Sequence, residues 1–133
     1  MKDAKTALMP DGIAPPFGAY SSGISAPANG LIVTSGQLGL AADGTCPPDV
    51  TAQAELCLNA IDAILRSGGA SRADVLRLNA YVTRRADFPT WMAVRDDWLA
   101  EVAIKPASTL MIVVGFTRPE FRIEVEAIAR RPE

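Results

Sequence analysis

Near its C-terminal end the chain alternates: Ile123, Val125 and Ala127 are apolar, while Arg122, Glu124 and Glu126 are charged. A period of two predicts a strand over residues 122–129 with one buried and one polar face. The same alternation runs through Val75–Val82, with Leu76, Leu78, Ala80 and Val82 on one side and Arg77, Asn79 and Tyr81 on the other. Leu31–Thr34 reads as a short β-branched strand ending in Ser35-Gly36-Gln37. Residues 20–24 read as another strand, joined to it by the hairpin-type turn Ala26-Pro-Ala-Asn-Gly30. Residues 110–114, Leu-Met-Ile-Val-Val, are apolar without interruption.

Two stretches carry the helical period instead. Asp49 is a candidate N-cap for a helix striped by Val50, Ala54, Cys57/Leu58, Ile61 and Ile64/Leu65, and Gly68-Gly69 stops it. A second helix starts at Asp87 and Pro89, striped by Trp91, Val94, Trp98 and Val102; both tryptophans read as core anchors. Residues 7–18, rich in Pro and Gly, read as an irregular leader. The order β-β-α-β-α-β-β predicts an α+β layer, with a single sheet and two helices packed on one face. With no internal repeat, linker or low-complexity segment, one domain over residues 1–133 is expected.

The continuous apolar strand at 110–114 changes the picture. Both of its faces call for burial, and the two helices cover only one side of the sheet. Another copy of the chain is the economical cover, so a closed homo-oligomer is expected. The polar positions of the second face, Asn79, Tyr81, Glu124 and Glu126, then line clefts between subunits. Glu124 and Glu126 point the same way, with backbones about 7 Å apart. Two carboxylates so placed repel each other, which asks for a partner or a purpose; a solvated sheet face is the plainer reading.

Composition narrows the chemistry. The 133 residues are 49% apolar and 21% charged, with a net charge of −2, a mean hydropathy of +0.16 and a pI of about 5.1. This describes an ordinary globular chain with no basic field for a nucleic-acid backbone. No apolar run approaches the roughly 20 residues that span a bilayer. The start Met-Lys-Asp-Ala-Lys has no apolar core behind it and is not read as a signal peptide, so a cytoplasmic location is expected. The chain contains no histidine, which excludes a serine–histidine triad, a histidine-ligated zinc hydrolase and a histidine-based nuclease. Acid–base work falls to carboxylates, tyrosine, lysine, backbone groups or water. Cys46 lies in a loop and Cys57 on a helix stripe; they form neither a metal spacing nor a disulfide framework.

Several pieces in this order resemble the RidA/YjgF family of reactive-intermediate deaminases: Phe17-Gly-Ala-Tyr-Ser21, Val33-Thr-Ser-Gly-Gln37, Asp87-Phe88, Pro106-Ala107 and Ile123-Glu-Val-Glu-Ala-Ile-Ala129. The resemblance implies a chorismate-mutase-like fold, a homotrimer, small-molecule sites in the clefts between subunits, and no metal or organic cofactor. It implies hydrolysis of imines derived from enamines, with a glutamate and a backbone carbonyl positioning the attacking water. Carried over by motif, the glutamate is Glu124, the glycine is Gly36 beside Ser35, and the pocket-closing tyrosine is Tyr20.

One element does not carry over. Where the family writes Pro-Ala-Arg-Ser/Thr, this chain writes Pro106-Ala107-Ser108-Thr109. Counting from the proline puts Ser108 in the arginine's place; counting back from the last strand puts Thr109 there. A 2-imino acid bound in the family's usual way is then a poor ligand, because losing one partner of a buried charge pair costs about 2–5 kcal/mol. Arg118 or Arg122 can supply a guanidinium from elsewhere, surface solvation being the plainer reading of both. Arg84-Arg85 and Arg130-Arg131 read as solvated ends. Three functions follow: a divergent deaminase or hydrolase of small enamines or imines, a non-catalytic small-molecule-binding or regulatory trimer, and the ribonuclease activity sometimes attached to the family name. The absent histidine and the acidic balance oppose the third.

Overall fold

The structure, a computed structural model, describes residues 5–133; most of the chain start read above as no signal peptide lies outside them. Seven strands and two helices follow the order β1 (Thr6–Leu8), β2 (Gly23–Ser25), β3 (Leu31–Thr34), β4 (Gln37–Leu38), α1 (Val50–Ser67), β5 (Val75–Val82), α2 (Phe88–Trp98), β6 (Ala107–Ile112) and β7 (Ile123–Arg130). The strands form one mixed sheet in the order β1-β2-β3-β7-β5-β6, and β4 continues beside β7 after β3. Among the described residues only β5 and β6 run parallel, joined through α2 as a parallel pair requires. The fold is α+β, two helices packed on a single sheet, as the periodicities predict.

Both helices cover one face. Asp49 accepts a hydrogen bond from the Ala52 amide at 3.2 Å, a cap worth about 1 kcal/mol. At the other end Gly69 takes a φ of +79°, and the Ala70 amide reaches back to the Leu65 carbonyl at 2.9 Å. Between these ends α1 buries Ala54, Cys57, Leu58, Ile61, Ile64 and Leu65. They pack on the inward residues of β7, Ile123, Val125, Ala127 and Ala129, and on Leu78, Ala80 and Val82 of β5. Trp91 and Trp98 join the same core.

Several elements differ from the sequence reading. The leader is not wholly irregular: β1 pairs with β2, and Leu8 is buried in the core. Glycine makes room for it, since a Cβ on Gly68 would stand 3.0 Å from the Leu8 Cδ1. The strand expected at 20–24 begins only at Gly23, because hairpin pairing with β3 runs Gly23–Thr34 to Ser25–Ile32. The two-residue β4 is too short to have a period. Leu76 is 48% exposed, since a bulge between Val75 and Arg77 takes it off the core face. Helix α2 ends at Trp98, so Val102 is buried from a following turn rather than from the helical stripe.

The apolar run expected as a strand at 110–114 is shifted: β6 starts at Ala107 and stops at Ile112. Parallel pairing with Arg77–Val82 of β5 sets these bounds, not the apolar pattern. Arg122 precedes β7, and its guanidinium grips buried Asp87 at 2.7 and 3.2 Å, so it is a structural ion pair and not a solvated face. Arg130 and Arg131 also have partners, Asp74 at 2.8 Å and the Ala26 carbonyl at 2.8 Å. Among the described residues no helix is long and apolar enough to cross a membrane.

Candidate active site

The alternation of β7 sends Glu124 and Glu126 to the face that the helices leave open, opposite Tyr81 and Asn79 of β5. Their surroundings differ. Glu126 accepts hydrogen bonds from the Asn79 side-chain amide at 3.2 Å and the Tyr81 hydroxyl at 3.3 Å. No such donor reaches the Glu124 carboxylate among the described residues. Burial first, and the charge of Glu126 second, raise the Glu124 pKa above the ordinary carboxylate value. The Tyr81 phenol is raised too, by burial first and by its glutamate neighbours next.

The backbone between β3 and β4 closes on Glu124. Both strands pair with β7, so the intervening Ser35-Gly36 must pass over it. A Cβ built on Gly36 would stand 2.6 Å from the Glu124 Cδ. Ser35 anchors this crossing: its hydroxyl donates to the Ser21 carbonyl at 2.6 Å and its amide to the Ser22 carbonyl at 2.8 Å. The segment so held carries Tyr20, whose hydroxyl accepts from the Phe17 amide at 3.1 Å. Together Tyr20, Gly36 and Glu124 line a cavity of about 400 Å³, with Phe17, Phe116, Leu38, Gly18 and Thr117 completing its wall. Neither Lys nor Arg is among these lining residues.

Three predicted residues therefore meet in one cavity, with Ser35 pinning its wall. Ser108, Thr109 and Arg118 do not line it. Ser108 and Thr109 lie on β6, two strands from β7, roughly 10 Å away at about 4.8 Å per strand. The pairing separates them. Thr109 sits opposite Asn79 on the open face, where Arg77 donates to its hydroxyl at 2.8 Å. Ser108 faces the helix side, where the Arg95 Nη1 approaches its hydroxyl at 3.4 Å. Arg118 pairs with Glu120 at 3.7 Å and lies over the Phe121 ring at 4.4 Å.

Sequence reasoning missed Phe116 and Leu38 as walls, and Arg77 and Arg95 as the guanidinium groups beside the Thr109 and Ser108 hydroxyls. It also missed Gln53, which is fully buried. Its amide donates to the Pro47 and Glu120 carbonyls at 2.9 Å and its oxygen accepts from the Arg122 amide at 2.9 Å, fixing the entry to β7. An isolated glutamine on a helix carries no pattern that announces such a role.

The profile of the family described as Endoribonuclease L-PSP matches residues 12–131. The 2-iminobutanoate/2-iminopropanoate deaminase of Escherichia coli K12 is 32% identical over 117 residues, covering 86% of this chain and 89% of that protein. The crystal structure of the E. coli YjgF gene product superposes with a TM-score of 0.86 at 30% identity, covering 95% of this chain and 98% of that one. The structure of E. coli TdcF with bound serine gives a TM-score of 0.88 at 27% identity, with the same 95% and 98% coverage.

Proposed function

The chain belongs to the Endoribonuclease L-PSP (RidA/YjgF) family, and from that premise we propose that it is a deaminase that hydrolyses small reactive imines formed from enamines. The observation that carries this reading is the Glu124 carboxylate. It is half-buried, lies against the Gly36 backbone, and has no intrachain hydrogen-bond donor among the described residues. A carboxylate so placed is free to hold a water, and its raised pKa suits proton exchange nearer neutral pH.

Glu124 takes a proton from water as the water oxygen bonds to the imine carbon and the C=N π pair moves onto nitrogen. Glu124 passes that proton to the nitrogen, giving a neutral tetrahedral amino alcohol. The carboxylate then relays the hydroxyl proton to the amino group, which leaves as ammonia as the C–N bond breaks and the carbonyl forms, and Glu124 ends deprotonated. One imine and one water give one carbonyl compound and one ammonia, with no redox change. Phe17, Tyr20 and Phe116 give the cavity around the adduct its aromatic walls. The absence of histidine and the net charge of −2 support this chemistry over RNA cleavage.

The site belongs to a homotrimer in this proposal. Leu31, Val33 and Met111 are 40–55% exposed on the open face, and β6 is a free edge strand. Apolar residues spread over a sheet face and beside its open edge call for a protein partner, and a second copy brings its β6 edge towards the Glu124 cavity of the first. The test is ammonia release from an imine generated in situ by an amino-acid dehydratase. Acceleration by the wild type, abolished in Glu124→Gln with the assembly intact, is expected; equal rates in the two proteins would overturn the glutamate's role.

A further inference from the structure

The Glu124 cavity holds negative charge with nothing in its own wall to balance it. Glu124 lines it, and Glu126 lies two residues along the same strand face, about 7 Å away by backbone spacing. The donors to Glu126, Asn79 and Tyr81, carry no charge, so they hold that carboxylate without neutralising it. No Lys or Arg lines the cavity. Arg118 follows Thr117 of the wall, but its guanidinium lies 3.7 Å from the Glu120 carboxylate and 4.4 Å above the Phe121 ring. Arg122 is held by Asp87 at 2.7 Å and Arg77 by Thr109 at 2.8 Å. Strand β6, whose edge faces outward, contains no charged residue.

The rest of the wall is rich in π surface. Phe17, Tyr20 and Phe116 contribute three rings and Leu38 an aliphatic side chain. Phe17 and Tyr20 are 60% and 46% exposed, so a ligand can reach them. The Phe17 amide donates to the Tyr20 hydroxyl at 3.1 Å, which ties these two aromatic residues together. The face of an aromatic ring is negative and attracts cations, while its edge packs against other rings. Carboxylates and rings therefore select for the same ligand, one with a positive charge and an apolar body. A carboxylate on that ligand would be repelled by both Glu124 and Glu126.

We infer that the preferred substrate of this cavity is a carboxylate-free iminium ion with an aromatic side chain, its nitrogen paired with Glu124 and its body against Phe17, Tyr20 and Phe116. This rests on the deaminase reading and names the substrate class for it. The volume of about 400 Å³ has room for such a molecule. The iminium already carries the proton its nitrogen needs. Water adds to its carbon while Glu124 takes the water proton and the C=N π pair moves onto nitrogen, which gives the neutral amino alcohol directly. Glu124 then passes its proton to the amino group and takes the hydroxyl proton as the C–N bond breaks and the carbonyl forms. That proton goes to the departing ammonia, so one iminium and one water give one carbonyl compound and one ammonium. Such an iminium arises by two-electron oxidation of a primary amine, and an amine oxidation is the class of reaction that must supply it.

The experiment uses two imines that differ only in a carboxylate, generated in situ by an amine oxidase from 2-phenylethylamine and by an amino-acid oxidase from phenylalanine. Hydrolysis is read in competition with semicarbazide, which traps the imine. The wild type is expected to turn over both, with kcat/KM for the carboxylate-free imine higher on the order of tenfold or more. Thr117 is exposed in the cavity wall, so Thr117→Arg places a cation there without disturbing the core. It is expected to narrow or reverse the ratio by raising kcat/KM for the imino acid and lowering it for the other imine. A structural disturbance would lower both together. A wild type that hydrolyses the imino acid as fast or faster overturns the proposal and leaves the deaminase reading standing, and loss of that preference in Arg118→Gln would identify Arg118 as the cation responsible. A ratio unmoved by Thr117→Arg also overturns it. If Thr117→Arg does not fold, Thr117→Lys decides in the same way. A wild type inactive on both imines overturns the deaminase reading and this proposal with it.

Discussion

The Glu124 carboxylate rests on the Gly36 backbone so closely that a methyl group there would stand 2.6 Å from Cδ, 2.7 Å from Oε2 and 2.9 Å from Cγ. Real Cβ atoms essentially never come within 3.0 Å of such neighbours. The glycine is thus required by the position of the carboxylate, not by backbone conformation, since Gly36 is not among the residues at positive φ.

Gly36→Ala should therefore displace Glu124 while leaving the helix face of the sheet untouched. A catalytic group moved by about 1 Å loses on the order of a hundredfold in rate. The expected result is a fall of that size in kcat with little change in the denaturant midpoint. Full activity in Gly36→Ala would mean that the carboxylate does not need this seat.

Glu126→Gln tests the electrostatics of the pair. The Glu126 charge is the second cause of the raised Glu124 pKa, after burial. Removing it lowers that pKa without restoring the ordinary value. A base works only when deprotonated, so the acid limb of the kcat/KM profile follows the Glu124 pKa. In Glu126→Gln this limb should move to lower pH, with activity at neutral pH retained in part. The check is a pH–rate profile for both proteins; a limb that stays in place would uncouple the two carboxylates.

How much of this site could be read from the chain depended on whether a residue's role is local. The face of Glu124 and Glu126 follows from alternation alone, and β7 places them there. The burial of Trp91 and Trp98 follows from helical spacing in the same way. Leu76 broke its pattern because a bulge is one extra residue, invisible to a period of two. Arg122 was misjudged because its partner Asp87 lies 35 residues away. Arg95 escaped for the same reason: nothing local to α2 announces that its guanidinium meets a hydroxyl on β6. The short strands β1 and β4 owe their existence to pairing, which two or three residues do not encode.

The Asp87–Arg122 pair should matter to stability more than an ordinary surface bridge. The Asp87 side chain is 5% exposed and that of Arg122 is 25% exposed. Breaking a buried pair from one side typically costs about 3–5 kcal/mol, and the partial exposure of Arg122 moves the expectation to the lower end. Asp87→Asn should thus lose about 3 kcal/mol in urea unfolding. A loss below about 1 kcal/mol would place the pair with surface bridges.

A cleft between copies exists only if the chain assembles. Met111 is 55% exposed on β6 and pairs in register with Tyr81, which in turn lies opposite Glu124. In a trimer this side chain is covered by a neighbouring copy, and light scattering should return three times the 14.1 kDa chain mass. Met111→Asp would then bury a charge without a partner, a penalty of several kcal/mol at each of three equivalent contacts. It should yield folded monomers with the helical circular dichroism of the wild type. Because the cavity around Glu124 lies within a single chain and the β6 edge would come from another, those monomers should bind substrate poorly while keeping the fold. A wild type that scatters as a monomer, or a Met111→Asp variant that assembles normally, would remove the basis for a site shared between copies.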